Sequence, residues 1–459
     1  MNIIIVGAGE IGRHMAVELS KKKHRIAVIE SDSARAIELE NLIEGRVIVG
    51  DGVSMETLAQ ADVASCELFL ALTSENTVNL MSGSVAKALG VKTVVSRVHP
   101  GLQREELLFD FREHFGIDYL FSSERLAAID LAKFIRNPNS LKVEEIARGR
   151  IELQQVRVSP KSSFVGRELI DLKLPARTRF ASVLRDGENF IPQANYVVQA
   201  GDLVTIFGDP RKLQVVAENF QKGKRENDGP NVVIFGGSEY SLALAQTLSA
   251  TNCNVRLFES NEEDAQRLAD ELSGVSVIRA DATSVTELEE ESVENVDFFV
   301  AASSSDEDNV MTCLQAHHLG VKNCLTLIHR DDYARAIVKF GSSFGVLAAV
   351  SPREAVAKEI SRFVTSENYH VLMDLDHAVL IETQVKEKAR VVGKTVAEVE
   401  WPTDCVLVGL INGGAANVPN PDDVLEVGAH VFAVVSHETI DRVLDLLHPL
   451  HKRLFAKVL

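Results

Sequence analysis

The sequence predicts an α/β protein built twice over, each repeat a doubly wound parallel sheet followed by a small α+β domain. Three observations carry this. NIIIVGAGEIG from Asn2 returns as NVVIFGGSEYS from Asn231, an offset of 229 residues. Within each copy, short apolar strands alternate with amphipathic helical patterns, as in a parallel sheet covered on both faces. Behind each copy the tails agree as well: FVGRELIDLKLP from Phe164 resembles RVVGKTVAEVEWP from Arg390, and VVQAGDLVTIFG from Val197 resembles VLEVGAHVFAVV from Val424.

Taken in order, strand signals in the first copy cover residues 3–6, 25–29, 46–49, 68–72, 93–98 and 119–121, with helical patterns between them. Residues 123–136 then form a helix bearing apolar Leu126, Ile129, Ala132, Phe134 and Ile135, and its counterpart opens with the capping sequence Ser351-Pro352-Arg353-Glu354. The apolar face of this helix belongs either to a domain core or to an oligomer seam. In the tails, Arg185-Asp186-Gly187 and Asn412-Gly413-Gly414 mark turns between strands, and a last helix follows. Between the halves, residues 221–230 are polar and end in Gly-Pro, which cannot support a core. The expected division is 1–121, a parallel-sheet domain; 122–140, a crossover helix; 141–223, an α+β domain; and 224–230, a linker. The second repeat follows as 231–350, 351–366 and 367–453.

A chain of 459 residues is long enough for three or four domains at roughly 100 to 150 residues each. Its formal net charge of -18, from 66 acidic and 48 basic residues, argues against nucleic acid, whose phosphates demand clustered Lys and Arg. The short basic stretches Lys21-Lys22-Lys23 and Lys222-Gly223-Lys224-Arg225 have no interleaved aromatics and read as solvated surface. Five cysteines without a CxxC pair point to a reducing, cytosolic compartment and to no metal site. The apolar start runs straight into a glycine motif, so it is a first strand and not a signal. No run of about 18 apolar residues is available to span a bilayer.

The strongest chemical motif is Gly7-Ala8-Gly9-Glu10-Ile11-Gly12, directly after a strand and opening a helix. In a Rossmann-type domain the first Gly makes the turn, the second admits a pyrophosphate and the third lets helix and strand pack closely. Glu30, at the end of the second strand, is placed to accept hydrogen bonds from ribose hydroxyls and to repel a 2′-phosphate, which favours NAD over NADP. Asp51, Thr73, Ser74 and Arg97 fall at the carboxyl ends of the third, fourth and fifth strands, where such sheets bind ligands. Turn and cap chemistry is the competing role for Asp51 and Thr73. Arg13 follows the last glycine, near a phosphate or in solvent.

In the second copy the motif is degraded to Gly236-Gly237-Ser238-Glu239-Tyr240-Ser241, while Glu259, Asp281 and Ser303 persist as counterparts of Glu30, Asp51 and Thr73. This is a possible second site, live in a shifted pose or structural only. Hydride transfer to a substrate needs a general acid or base beside the nicotinamide and a domain that holds the substrate. His99 and His329 occupy equivalent positions but more simply serve as hydrogen-bonded strand-end residues. No catalytic set is expected. An NAD-dependent oxidoreductase with a duplicated Rossmann domain is the alternative, and would require turnover; a redox-responsive DNA-binding repressor would require a basic helix that this chain does not show.

The NIIIVGAGEIG start, the Glu30 and Asp51 spacing, the long helix after Phe121 and the FVGREL to AGDLV tail together resemble an RCK (also called KTN) unit, and the likeness spans essentially the whole chain. The resemblance implies two RCK N-terminal domains, each followed by an RCK C-terminal domain. It implies a non-enzymatic regulatory subunit on the cytoplasmic face of the inner membrane, assembled into a ring, a tetramer, beneath an integral-membrane potassium transporter subunit of the TrkH or TrkG kind. It further implies NAD(H) at the first site, with Gly7, Ala8, Gly9, Glu10, Ile11, Glu30, Thr73, Ser74 and Arg97 matching the binding pattern, and ATP or ADP as competing ligands at either site. Ser238 and Ser241 depart from that pattern.

Overall fold

The computed structural model describes residues 1–105, 109–136, 140–146, 150–185, 188–220, 229–251, 253–330, 333–334, 337, 345–364, 369–375, 378–413 and 415–448. In the first repeat, strands β1 (Asn2–Val6), β2 (Arg25–Glu30), β3 (Arg46–Val49), β4 (Leu68–Ala71), β5 (Thr93–Arg97) and β6 (Tyr119–Phe121) form one parallel sheet in the order β3-β2-β1-β4-β5-β6. Helices α1 (Glu10–Lys21), α2 (Ser33–Glu40), α3 (Met55–Gln60), α4 (Asn76–Ala88), α5 (Pro100–Glu105) and α6 (Phe111–Phe115) connect the strands, and α7 (Ser123–Arg136) follows β6. Sequence order reverses between β1 and β4, the crevice where doubly wound sheets take their ligands.

The local reasons are plain. Strand β1 is β-branched and buried on both sides, as a central parallel strand must be. Helix α1 buries Ile11, Gly12, Met15, Ala16 and Leu19, a stripe at helical spacing, against the sheet. Helix α2 starts where the Asp32 carboxylate accepts from the amides of Ala34 and Arg35. Strands β4 and β5 end one residue before the sequence signals do, yet Leu72 and Val98 still donate ladder-like bonds to Val6 and Phe121.

The second repeat repeats this order. Strands β12 (Asn231–Phe235), β13 (Asn254–Glu259), β14 (Val275–Arg279), β15 (Phe298–Ala301), β16 (Cys324–Leu327) and β17 (Val346–Val350) are all parallel, in the order β14-β13-β12-β15-β16-β17. Asn261 caps its second helix as Asp32 caps α2. The tails are antiparallel sheets with a closing helix each: β7 (Ser140–Ile146), β8 (Ile151–Arg157), β9 (Thr178–Arg185), β10 (Glu188–Phe190), β11 (Leu203–Gly208) and α8 (Pro210–Phe220), then β18 (Tyr369–Asp374), β19 (Ala378–Gln384), β20 (Cys405–Asn412), β21 (Ala415–Asn417), β22 (His430–Ser436) and a helix at Ile440–Leu447. Even the isolated bridges correspond, Glu168 with Val197 and Thr395 with Val424. The turn residues Asp186, Gly187 and Gly414, and residues 221–228 of the interrepeat stretch, lie outside the described residues; the strands flanking both turns pair as hairpins.

The chain divides into two compact units, one holding both parallel sheets and the other both antiparallel sheets. Within the first unit the long helices change places. Ala127, Ala128, Leu131, Ala132 and Ile135 of α7 pack into the core of the second repeat, against Val232, Ile234, Leu257 and Val300. Val356 and Ile360, from the helix Pro352–Ser361, pack with Val364 into the core of the first repeat, against Ile3, Ile5, Ile11 and Met15. The apolar face of α7 is therefore core of the other repeat in the same chain. Within the second unit a similar sharing occurs: Leu153, Ala181 and Phe207 of one sheet share a core with Leu380, Val408 and Phe432 of the other.

Candidate functional site

Backbone geometry at the β1–α1 turn assigns each glycine a separate task. Gly7 has φ +95°, and a Cβ there would lie 2.9 Å from Thr73 Cγ2. A Cβ on Gly12 would lie 1.9 Å from the Gly7 carbonyl oxygen, so helix and turn touch directly. A Cβ on Gly9 would meet nothing within 4 Å, so this position alone of the three faces open space. Above it lies a cleft of about 380 Å³ lined by Gly7, Gly9, Glu10, Ile11, Glu30, Asp51, Thr73, Ser74 and Arg97. Nine of the eleven residues expected from the sequence thus meet at one crevice, between β1 and β4. Ala8 and Gly12 lie beneath its surface.

Glu30 is 5% exposed, and its carboxylate joins two segments: Oε2 accepts from the Ala8 amide at 2.5 Å, and Oε1 accepts from the Asp32 amide at 2.9 Å. A carboxylate has about four lone-pair positions, so capacity remains for a ligand's hydroxyls. Asn79, buried in α4, joins the other side. Its Oδ1 accepts from the Thr73 amide at 2.9 Å and hydroxyl at 2.7 Å, and its Nδ2 donates to the carbonyls of Thr73 and Arg97. Arg97 reaches from the end of β5 to Glu124 at 3.0 Å, at the start of α7. Asp51 Oδ1 accepts from the Val53 amide at 3.0 Å, a turn contact at the cleft's edge. Arg13 pairs with Glu38 at 3.4 Å on the exposed side of α1.

The cleft also includes Ser31, Arg35, Gly50, Gly52 and Glu75, which sequence reasoning did not select. Ser31 directly follows Glu30, and the two glycines flank Asp51, so the strand-end rule could have found them. Arg35 stands in the first turn of α2, where no motif marks it.

The second repeat keeps the frame and changes the loop. Gly236 has φ +103° against Ser303, and Asn309 binds Ser303 and the Leu327 carbonyl just as Asn79 binds Thr73 and Arg97. The two serines turn inward. Ser238 Oγ donates to the Ala302 carbonyl at 2.5 Å and accepts from the Ser241 amide, while Ser241 Oγ donates to the same carbonyl at 3.0 Å. Glu259 accepts from the Asn261 amide at 2.7 Å, and its Oε2 would lie 2.4 Å from a Cβ on Gly237. Glu239 pairs with Arg267 at 3.4 Å, Asp281 holds the Thr283 amide and hydroxyl, and Tyr240 packs against the α7 core.

Each of the two equivalent histidines stands beside a carboxylate. His329 Nδ1 lies 3.0 Å from Asp306 Oδ1, a carboxyl that burial raises but that His329 and two backbone amides bring net below its ordinary value. His99 is half-exposed, 3.8 Å from Glu239. Among the described residues no cluster of His, Cys, Asp or Glu could hold a metal ion, and no helix is long and apolar enough to cross a membrane.

Fold and cleft together define a tandem Rossmann-type protein in which each parallel-sheet domain is paired with an antiparallel α+β domain. The TrkA-N domain model matches residues 3–121 and 232–352, and the TrkA-C domain model matches residues 153–221 and 380–448. The chain belongs to this TrkA-N/TrkA-C family. It is similar to the Trk system potassium uptake protein TrkA homolog of Archaeoglobus fulgidus, 29% identical over 452 residues that cover 97% of this chain and 100% of the relative. The Trk system potassium uptake protein TrkA of Haemophilus influenzae is 27% identical over 447 residues, covering 95% and 96% of the two chains. Among solved structures, the GsuK RCK domain superposes with a TM-score of 0.59 at 17% identity, covering 96% of this chain and 94% of that one. The GsuK channel bound to NAD gives 0.60 at 19%, covering 96% and 78%.

Proposed function

We propose that this chain is a cytoplasmic regulatory subunit of a potassium uptake transporter, and that NAD(H) binding in the first-repeat cleft sets its conformation. The observation that carries the cofactor reading is the glycine loop: Gly9 is open to the cleft at the N-terminus of α1, with Glu30 one strand away on the ribose side. A helix N-terminus offers unpaired amides and a positive dipole to a pyrophosphate, and an acidic strand-end residue disfavours a 2′-phosphate. The residues present suit a dinucleotide at Gly7, Ala8, Gly9, Glu10, Ile11, Gly12, Glu30, Asp51, Thr73, Ser74 and Arg97. ATP and ADP share the adenosine and phosphate groups and compete there. In the second repeat, Ser238 and Ser241 hydroxyls directed at Ala302 leave the loop less able to serve phosphate, so one dinucleotide per chain is the expected stoichiometry.

The potassium-transport reading rests on the full-length relatives named as Trk system potassium uptake proteins. Its partner is an integral-membrane potassium transporter of the TrkH or TrkG kind, with several chains assembled as a tetrameric ring on the cytoplasmic face. The domain division proposed is 1–121, 122–140, 141–223, 224–230, 231–350, 351–366 and 367–453. Because α7 and the helix Pro352–Ser361 each leave one repeat and enter the core of the other, a ligand that moves the first cleft acts on both repeats. The rearrangement gates the membrane subunit.

Calorimetric titration of the full chain with NADH, NADPH, ATP and ADP, run beside an NADH-oxidation assay and potassium flux through the reconstituted transporter, tests the proposal. Binding near one NADH per chain, preferred over NADPH and without turnover, together with nucleotide-dependent flux, supports it. Substrate-dependent NADH oxidation overturns it.

A further inference from the structure

A second, larger groove of about 1400 Å³ adjoins the cleft, and the two share Gly9, Glu10 and Arg35. Its far wall comes from the second repeat. Arg353, at the start of the helix Pro352–Ser361, reaches across to form an ion pair with Glu10, the first residue of α1, and its side chain is only 18% exposed. The helix backbone is held in place by Val356 and Ile360 in the first repeat's core. A guanidinium carried by a helix packed on the first repeat therefore pairs with the residue that follows the open Gly9, and both Gly9 and Arg353 line the larger groove.

We infer that Arg353 is a phosphate-binding residue supplied to the first-repeat site by the second repeat, with Glu10 as the internal carboxylate it exchanges for a ligand's phosphate. The inference rests on the cofactor reading above. Arginine suits the exchange because its planar fork fits carboxylate and phosphate oxygens alike. The corresponding position one repeat earlier supports the assignment. The offset of 229 residues that relates Asn2 to Asn231 also relates Glu124 to Arg353. Glu124 opens α7 and acts on the second loop: after burial, its charge is the largest influence pushing the Tyr240 phenol up to about 12. The exchanged helices thus carry a guanidinium to the first loop, paired with Glu10, and a carboxylate to the second, paired with Arg97 at 3.0 Å.

The test is calorimetry on the full-length wild type and the Arg353→Ala, Arg353→Gln and Glu10→Gln variants, with NADH as titrant and adenosine as a phosphate-free competitor, and with thermal melts to establish folding. Loss of a charge-assisted contact to phosphate corresponds to about ten- to a hundredfold weaker binding. The expected result is a loss of that size for NADH in both Arg353 variants, unchanged competition by adenosine, and tighter NADH binding in Glu10→Gln, where Arg353 no longer has its internal partner. If the pair is only structural, Glu10→Gln weakens NADH as Arg353→Ala does, and the inference fails. It fails equally if Arg353→Gln folds and binds NADH within twofold of the wild type, or loses adenosine and NADH alike. A wild type that takes up no NADH overturns the cofactor reading and this inference with it, whereas normal wild-type binding with an indifferent Arg353 overturns this inference alone.

Discussion

At the level of single residues, the three glycines of the first loop have separable costs. A Gly12→Ala methyl would collide with the Gly7 carbonyl, and that neighbour is backbone that cannot swing away. Overpacking of this kind costs about 1–3 kcal/mol, so Gly12→Ala should lower the denaturant midpoint markedly. Gly9→Ala meets no protein atom and sits at the N-cap of α1, where alanine costs under about 1 kcal/mol. Its stability should be close to wild type while NADH affinity falls at least about tenfold, because the methyl occupies the phosphate's place. Equal stability losses in the two variants would refute this division. Glu30→Arg should shift the NADH-to-NADPH affinity ratio about tenfold or more toward NADPH, and an unchanged ratio would remove the ribose assignment. Overall affinity should also drop, since Glu30 holds the Ala8 amide.

Asp202 illustrates a charged residue whose role is structural. Burial raises its carboxyl, but Arg185 at 2.7 Å, the Tyr196 hydroxyl at 2.6 Å and the Gln199 amide at 2.8 Å bring it net below the ordinary value. A depressed folded value means the stabilisation is complete above the ordinary carboxyl value of 3.8 and is lost as pH falls through the lower, folded one. Asp202→Asn should therefore be less stable than wild type at pH 7, with the gap closing in acid. Chemical denaturation at a series of pH values would read this, and a gap independent of pH would contradict it.

At the level of elements, the exchange of long helices is the main result. Amphipathicity in α7 was legible from Leu126, Ile129, Ala132 and Ile135, but a stripe of apolar residues does not name the surface that covers it. The cover proved to be the second repeat's sheet. Leu131, fully buried there, should cost about 2–5 kcal/mol when cut to alanine. Amide exchange should then show the lost protection in β12 and β15 rather than in β1, although Leu131 precedes these strands by 100 and 167 residues in sequence. Ile360→Ala should do the reverse, exposing β1 and β4. Loss of protection confined to the repeat that carries each mutation would show that the helices fold back on their own domains.

At the scale of the whole molecule, duplication has produced two strand-to-helix loops with one frame and different chemistry. Asn79 and Asn309 make the same contacts, and Glu30 and Glu259 both hold the amide two residues on. The loops between them diverge, so a titration should count about one tight NADH site per chain; two sites of similar affinity would mean that Ser238 and Ser241 can turn outward.

Much of this was present in the order of residues. Strand and helix order, the duplication, the antiparallel tails and most of the first cleft follow from patterns that act over a few residues: β-branched runs make strands, a Gly-x-Gly turn demands positive φ, and strand ends on a parallel sheet converge on one edge. The inward turn of Ser238 and Ser241, the place of Arg35 at the rim, the partner of α7 and the reach of Arg353 to Glu10 were decided only by tertiary structure. Each depends on two segments remote in sequence coming within a few ångströms, and local pattern carries no information about which distant surface completes a contact.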